Sequence, residues 1–383
     1  MDTKRATPLM EIQYNKREVK CPRLDWKGSL ENYPLENYPD YEQGKPPRFE
    51  KLAEIGHLDE YQKIWGKPCG EQGIGRLREV ALVRPDDFEM DPLFFKNPEF
   101  FLMRYMMLNN AKPSLERMQQ NFDQYVDVLK QEGVKVDIVE HDKNSKMGIY
   151  GPMRKLFVAA RLGFVINGGA IIKRWGHSSW SRGLEYYAQR FFTQLDVPIL
   201  LFVSGKGIFE DAWVWAAENV LIGNYGIACN DEAMEQLTPV FKAAGIEEVV
   251  MGNSTSIMDS FQSGGDFHTD VSLGVVDSGL AVVYPAQLDW KIYTWLKSHH
   301  FRLIEIPHDE QVKAIPANGV LIKPGKMIMS SFAKKTNAML RKEGVDVVEI
   351  DTDGLAQGGV NGIRCCTCRI YREPGPRIDE IRR

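Results

Sequence analysis

The chain has 383 residues, 43% of them hydrophobic and 26% charged, with a formal net charge of -4. That balance suits one large or two modest globular domains with their own core, and it leaves no basic footprint for nucleic acid. The longest apolar runs, such as Val197–Val203, are too short to cross a bilayer, no apolar signal segment stands at the N-terminus, and six irregularly spaced cysteines make no disulfide scaffold. The expectation is a cytoplasmic α/β enzyme.

Residues 1–74 read as an N-terminal extension, largely irregular. Segment 21–50 is rich in Pro, Tyr, Asn and charge, lacks an apolar period and contains the short echo LENYPLENYP. Regular structure begins near Arg76, and residues 75–383 are expected to form the main domain. LREVALVRP (77–85) is β-branched and apolar and stops at Pro85, which reads as a strand. Residues 113–133 carry apolar side chains at helical spacing between Pro113 and Gly133, and 134–140 read as the next strand. Leu162–Ile172 is a strand pair around Asn167-Gly168-Gly169, followed by a helix over 181–195 and a strand over 198–203. Hairpin 212–223, helix 230–244 and strand 246–251 come next. The cadence recurs as hairpin 269–284, helix 287–299 and strand 301–306, then as hairpin 319–330, helix 331–343 and strand 345–350. A repeated strand–strand–helix–strand unit implies mixed sheets and argues against one long parallel sheet.

Three segments could carry chemistry. The first is GGVNGIRCCTCRIYRE (358–373). If 363–370 is extended, Ile363, Cys365 and Thr367 face one way and Arg364, Cys366 and Cys368 the other. Cys365 and Cys368 would then point apart, which weakens a redox or zinc pair; structural cysteine, nucleophile and metal ligand all stay open. The second is GGDFHTDVSLG (264–274), where extended geometry puts His268, Asp270 and Ser272 on one face. A carboxylate two residues from a histidine can orient or charge-stabilise the imidazole, and the alternative is a solvent-facing polar strip. The third is Glu210-Asp211 before an aromatic strand, a place where an acid is usually a turn former. GKG (205–207) lacks phosphate-loop spacing, GHSSW and GNSTS lack a nucleophile elbow, and His299-His300 read as helix-terminus histidines.

Taken in order, these segments resemble the guanidino-group-modifying enzymes, the superfamily of arginine deiminase, dimethylarginine dimethylaminohydrolase and glycine amidinotransferase. The resemblance covers roughly Leu77 to Glu373. It includes LREVALVRP, GGAIIKRW followed by SRGLE, NVLIG after Asp211, the HTD motif, EGVDVVEID and the closing GGVNGIRCCTCRIYRE. It implies a five-bladed α/β propeller of ββαβ units around a central site, with the catalytic domain in 75–383. It also implies Cys365 as nucleophile, His268 as general acid/base, Asp270 as its acidic partner and Asp211 as the carboxylate that grips the amidino nitrogens. The implied reaction cleaves a C–N bond of a guanidino or amidino compound through a thiouronium-type adduct on cysteine, with no metal or organic cofactor. An amidinium carbon is a poor electrophile, so a thiolate and flanking carboxylates suit it.

Two departures bear on substrate. Where relatives carry an acid in an F-x-R-D segment, this chain reads RKLFVAARLG (154–163), which brings Arg154 and Arg161 forward as pocket residues. Ala228 stands where deiminase-type relatives place an arginine for the substrate carboxylate. Both imply that free arginine is not the preferred substrate. The reading favours a hydrolase, because the N-E-W-D-like stretch of the amidinotransferases is missing; transfer of the amidino group to an amine acceptor is the alternative. A non-catalytic binding module on the same fold would have no use for a nucleophile–base pair. The expected partner is a small guanidino or amidino molecule, with homo-oligomer formation left open and neither nucleic acid nor membrane involved.

Overall fold

Each apolar run bounded by turn residues folds as a short strand, and each run with helical spacing folds as a helix, in the computed structural model of this chain. The structure describes residues 56–60, 69–85, 115–139, 163–176, 184–210, 212–226, 228–253, 268–353 and 362–381. The chain divides into two units, Met1–Lys67 and Pro68–Arg383. In the first, residues 56–60 form one helical turn, closed by the Glu60 N–H on the Gly56 carbonyl at 3.2 Å.

The second unit holds five three-stranded sheets among the described residues. β1 (Leu77–Val83), α1 (Leu115–Gln131) and β2 (Lys135–Val139) start the first blade. β3 (Gly163–Ile166), β4 (Gly169–Ile172), α2 (Leu184–Gln194) and β5 (Ile199–Phe202) make the second. The third is β6 (Val214–Ala217), β7 (Val220–Tyr225), α3 (Asp231–Ala243) and β8 (Glu248–Asn253). A short helix α4 (Thr269–Ser272) leads into the fourth, built of β9 (Leu273–Asp277), β10 (Leu280–Val283), α5 (Trp290–Ser298) and β11 (Arg302–Glu305). After α6 (His308–Ala314) and a 3-10 turn (Pro316–Asn318), the fifth consists of β12 (Val320–Lys323), β13 (Lys326–Ser330), α7 (Lys334–Lys342) and β14 (Asp346–Ile350). β15 (Cys368–Arg372) returns to pair antiparallel with β1, so the two ends of the domain close one blade. α8 (Ile378–Ile381) follows.

In each blade the middle strand pairs antiparallel with one neighbour and parallel with the strand that follows it across the helix; in the first blade β15 supplies the antiparallel neighbour. This is the ββαβ unit of a five-bladed α/β propeller. Local chemistry sets the joints. Gly168 adopts φ 94° in the β3–β4 turn, a conformation that suits glycine. The Asn230 side chain accepts the Ala233 N–H at 3.1 Å and caps α3. α1 buries Phe122, Tyr125, Val126 and Leu129 against Leu77, Val80 and Leu82 of β1. Each such side chain contributes about 1.5–3 kcal/mol on burial. His299 caps α5 and stacks on Trp295 with centroids 3.9 Å apart, the helix-terminus role expected of it. No helix among the described residues is long and apolar enough to cross a membrane.

Strands β6, β9, β12 and β15 come together at one cavity. Trp215 of β6, Leu273 of β9, Leu321 of β12 and Arg369 and Arg372 of β15 line a central cavity of about 40 Å³ together with Glu71. That is room for one or two waters. Glu71 lies 2.7 Å from Arg369 Nε and 3.7 Å from Arg372 Nη2, and all three side chains are buried. Burial pushes the Glu71 carboxyl up, but the Arg369, Arg372 and Arg364 guanidiniums outweigh it and hold the group below the ordinary glutamate range. Burial, partly offset by Glu71, pushes Arg372 down to about 10.

Candidate active site

The segments that lead into β6, β9, β12 and β15 carry a cluster of polar side chains, and tertiary contacts give each segment its shape. Phe209 exchanges backbone hydrogen bonds with Arg174 (3.0 and 3.2 Å) and buries its ring against Trp213, with centroids 5.2 Å apart. Extended alternation turns the next residue, Glu210, the opposite way. Its Oε1 accepts the Gly176 N–H at 2.7 Å, and its Oε2 lies 2.9 Å from His268 Nε2. Glu210 is 1% exposed, so a protonated imidazole there would gain a strong charge-assisted partner. Trp175 stands beside the imidazole, centroids 6.4 Å apart, and Lys173 Nζ lies 5.2 Å over the Trp175 ring.

His268 and Asp270 do not share a strand face. His268 is the N-cap of α4, and Asp270 lies inside that one-turn helix with its N–H on the Ala212 carbonyl at 3.0 Å. Sheet pairing starts only at Leu273, opposite Val283. The turn instead seats the buried Asp270 on a guanidinium: Arg364 Nη1 donates to Asp270 Oδ2, and Arg364 Nη2 to the Trp213 carbonyl at 2.6 Å. Asp270 Oδ1 is buried with no hydrogen-bond partner among the described residues.

The cysteine segment departs from extended geometry too. Residues Arg364–Cys366 form a 3-10 turn, and the strand begins at Cys368. Thr367 enforces the turn: its hydroxyl donates to the Ile363 carbonyl at 2.8 Å and meets the buried Tyr125 hydroxyl at 2.7 Å. The three cysteines therefore part. Cys366 packs into the core beside Leu77 and Phe122, Cys368 packs into a second core cluster with Val165, and Cys365 is half-buried. None of the five described cysteines is in a disulfide. Cys229 lies near Glu210, but burial, helped by Asp231 and Glu210, pushes its thiol up to about 12, which keeps it protonated.

One amide ties the two segments together. Asn318 Oδ1 accepts the Cys365 N–H at 3.1 Å, and Asn318 Nδ2 donates to the Asp270 carbonyl at 3.2 Å. Among the described residues no group of three or more His, Cys, Asp or Glu side chains could hold a metal ion. Asp211, Arg154 and Arg161 lie outside the described residues. Ala228 is buried, and its carbonyl accepts the Glu210 N–H at 2.8 Å.

Sequence reasoning brings Cys365, His268 and Asp270 forward, names Glu210 only with Asp211 as a strand-entry acid, and passes over Arg364 and Asn318. Glu210 was detectable by parity, since a buried Phe209 directs its neighbour away from the core. Arg364 was visible only as a member of a strand face. Asn318 comes after Ile315-Pro316 in an ordinary loop, and nothing in its spacing marks it.

The arginine deiminase family profile matches residues 256–372. The 2-nitroimidazole nitrohydrolase of Mycobacterium sp. (strain JS330) is 30% identical over 331 residues, which cover 84% of this chain and 86% of that protein. Among solved structures, the substrate-bound N-terminal domain of ArgZ, an arginine dihydrolase from cyanobacteria, matches with a TM-score of 0.59 at 18% identity, over 78% of this chain and 98% of that one. The citrulline complex of DDAH from Pseudomonas aeruginosa matches with a TM-score of 0.55 at 14% identity, over 77% and 99%. The five ββαβ blades, the profile match in the segment holding His268, Asp270 and Cys365, and the long alignment with the nitrohydrolase have one consequence: this chain belongs to the guanidino-group-modifying enzyme superfamily.

Proposed function

We propose that the chain is a cysteine-dependent hydrolase acting on an amidine-type carbon, one bonded to two nitrogens and a leaving group. The observation that carries this reading is the buried Glu210–His268 contact at 2.9 Å, two residues before a carboxyl anchored by Arg364. A histidine so held keeps one orientation, and its charged form is stabilised while it carries a proton. Cys365 attacks the carbon as thiolate and His268 protonates a departing amine, leaving a thiouronium-type adduct. His268 then takes a proton from water, whose oxygen adds to the carbon and expels the thiolate. Asp270 Oδ1 is a ready acceptor for a substrate N–H, and Asp211 is assigned the same task on the other nitrogen. A cationic substrate beside Cys365 favours the thiolate, so binding arms the nucleophile.

The relative's substrate fits the same chemistry. In 2-nitroimidazole the carbon between two ring nitrogens bears the nitro group, and hydrolysis there exchanges nitrite for oxygen. Ala228 offers no guanidinium to an α-carboxylate, which supports a substrate without an amino-acid tail. If Arg154 and Arg161 line the pocket, they add to that preference by repelling an α-ammonium.

The test is a panel of 2-nitroimidazole, simple amidines, agmatine, arginine and dimethylarginine, each incubated with enzyme and no added amine. Steady product release, with kcat/KM highest for a compound lacking the amino-acid tail, is the expected outcome. Release that begins only on addition of an amine would establish an amidinotransferase. A wide margin for arginine or dimethylarginine would overturn the substrate assignment.

A further inference from the structure

We propose that Asn318 is the positioning residue of this site: its amide sets the nucleophile turn against the acid/base turn. The inference rests on the reading of Cys365 as nucleophile and His268 as acid/base. Asn318 is 1% exposed and belongs to the lead-in of β12, a blade that contributes no other group to the proposed chemistry. Its two amide atoms are spent on two backbone groups far apart in sequence, the Cys365 N–H and the Asp270 carbonyl. Both partners are main-chain atoms, so the link fixes where each turn lies and leaves the reacting side chains to the chemistry.

Three further features show that this position is held rather than incidental. Ile315, buried one turn earlier, has φ 46° and ψ 64°. A β-branched residue occupies that left-handed region only where its surroundings impose it. Gly362, three residues before Cys365, packs so closely that a Cβ there would come within 2.2 Å of Asn318 Oδ1. Gly274 of β9 makes a similar approach, with a Cβ falling 2.4 Å from the Ala317 carbonyl oxygen. The Asn318 turn is thus clasped between the segments that carry Cys365 and Asp270. Helix α6 adds a parallel tie, since Gln311 Nε2 donates to the Val271 carbonyl at 3.1 Å.

A small displacement of a nucleophile from its attack geometry costs far more rate than it costs stability, about 100-fold for roughly 1 Å. Asn318 is placed to prevent that displacement. A protonated carboxyl can donate one hydrogen bond and accept another, as the amide does here, whereas an ionised one only accepts. N318D should therefore regain the link as pH falls.

The test uses the full chain and two thiol reagents, 2-chloroacetamidine and iodoacetamide, with modification of Cys365 followed by peptide mass. The cationic reagent depends on the carboxylates and the nucleophile being in register, while the neutral one reports only exposure and thiolate content. Asn318→Ala should slow chloroacetamidine about 100-fold and change iodoacetamide little. N318D should recover toward the wild-type chloroacetamidine rate as pH falls, measured as a ratio to wild type at each pH. Equal changes with both reagents, an unchanged chloroacetamidine rate in Asn318→Ala, or a pH-independent ratio in N318D would each overturn the role. Should Asn318→Ala fail to fold, the N318D ratio alone decides. If chloroacetamidine does not modify Cys365 in the wild type, the nucleophile assignment falls and takes this role with it.

Discussion

The middle strands of the blades and the lead-ins to their first strands obey different rules. β7, β10 and β13 are buried runs of Val, Leu, Ile and Met whose shape follows from apolar pattern and turn residues. The lead-ins at 209–210, 268–272, 316–318 and 364–367 take their shape from polar tertiary contacts: Glu210 on Gly176, Arg364 on Asp270, Asn318 on Cys365, Thr367 on Tyr125. The propeller stores its stability in the first set and its chemistry in the second. A change in one should therefore leave the other's property largely in place.

The largest effect tests the site side. His268→Gln keeps a hydrogen-bond donor for Glu210 but cannot pass a proton, and should lower kcat by about 10²–10⁴-fold, while the thermal midpoint, followed by circular dichroism, moves little. A loss of fold matching the loss of rate would erase the distinction between the two regions.

Glu71 stands between them, on the cavity lined by β6, β9, β12 and β15 but outside the reacting groups. Glu71→Gln leaves Arg369 and Arg372 buried with no carboxylate, and breaking such a cluster costs about 3–5 kcal/mol. Denaturant unfolding should show the loss. The sign of the pH dependence follows from the depressed carboxyl. A carboxyl whose folded pKa lies below its unfolded value contributes stability above the ordinary glutamate range and loses it as pH falls through the folded pKa. Wild type should thus lose stability more steeply than E71Q below the ordinary glutamate range. Parallel acid limbs for the two proteins would show that Glu71 is not a net stabilising charge.

The smallest effect tests the middle strands. A Cβ on Gly223 of β7 would meet the Trp213 ring at 2.3 Å. Gly223→Ala should cost about 1–3 kcal/mol by overpacking, read in denaturant, with kcat per folded molecule close to wild type. The Trp213 carbonyl holds Arg364, so a drop in kcat larger than about tenfold would show that the core and the site are mechanically joined there.

The same contrast explains what the residues alone disclosed. The repeated strand–strand–helix–strand cadence after residue 76 was legible because burial imposes periods of two and 3.6, whereas the short helices α6 and α8 left no such signal. The His268 and Cys365 segments were misread as strands. Their turns depend on Arg364, Asn318 and Thr367 finding partners distant in sequence, and a local period carries no trace of that. Residue type and spacing brought Cys365, His268, Asp270 and Glu210-Asp211 forward with alternatives open, resemblance supplied the roles, and parity applied to Phe209 would have singled out Glu210. Asp211, Arg154 and Arg161 lie outside the described residues.

The central claim is that the amidine-type carbon becomes bonded to Cys365. Acid quenching during steady turnover of the best compound in the panel, followed by fragmentation of the peptide holding residues 365–369, tests it directly. The account predicts a mass increment on Cys365 that forms and decays at rates compatible with kcat, and no turnover in Cys365→Ala. An increment confined to Cys366, or undiminished turnover in Cys365→Ala, would contradict it.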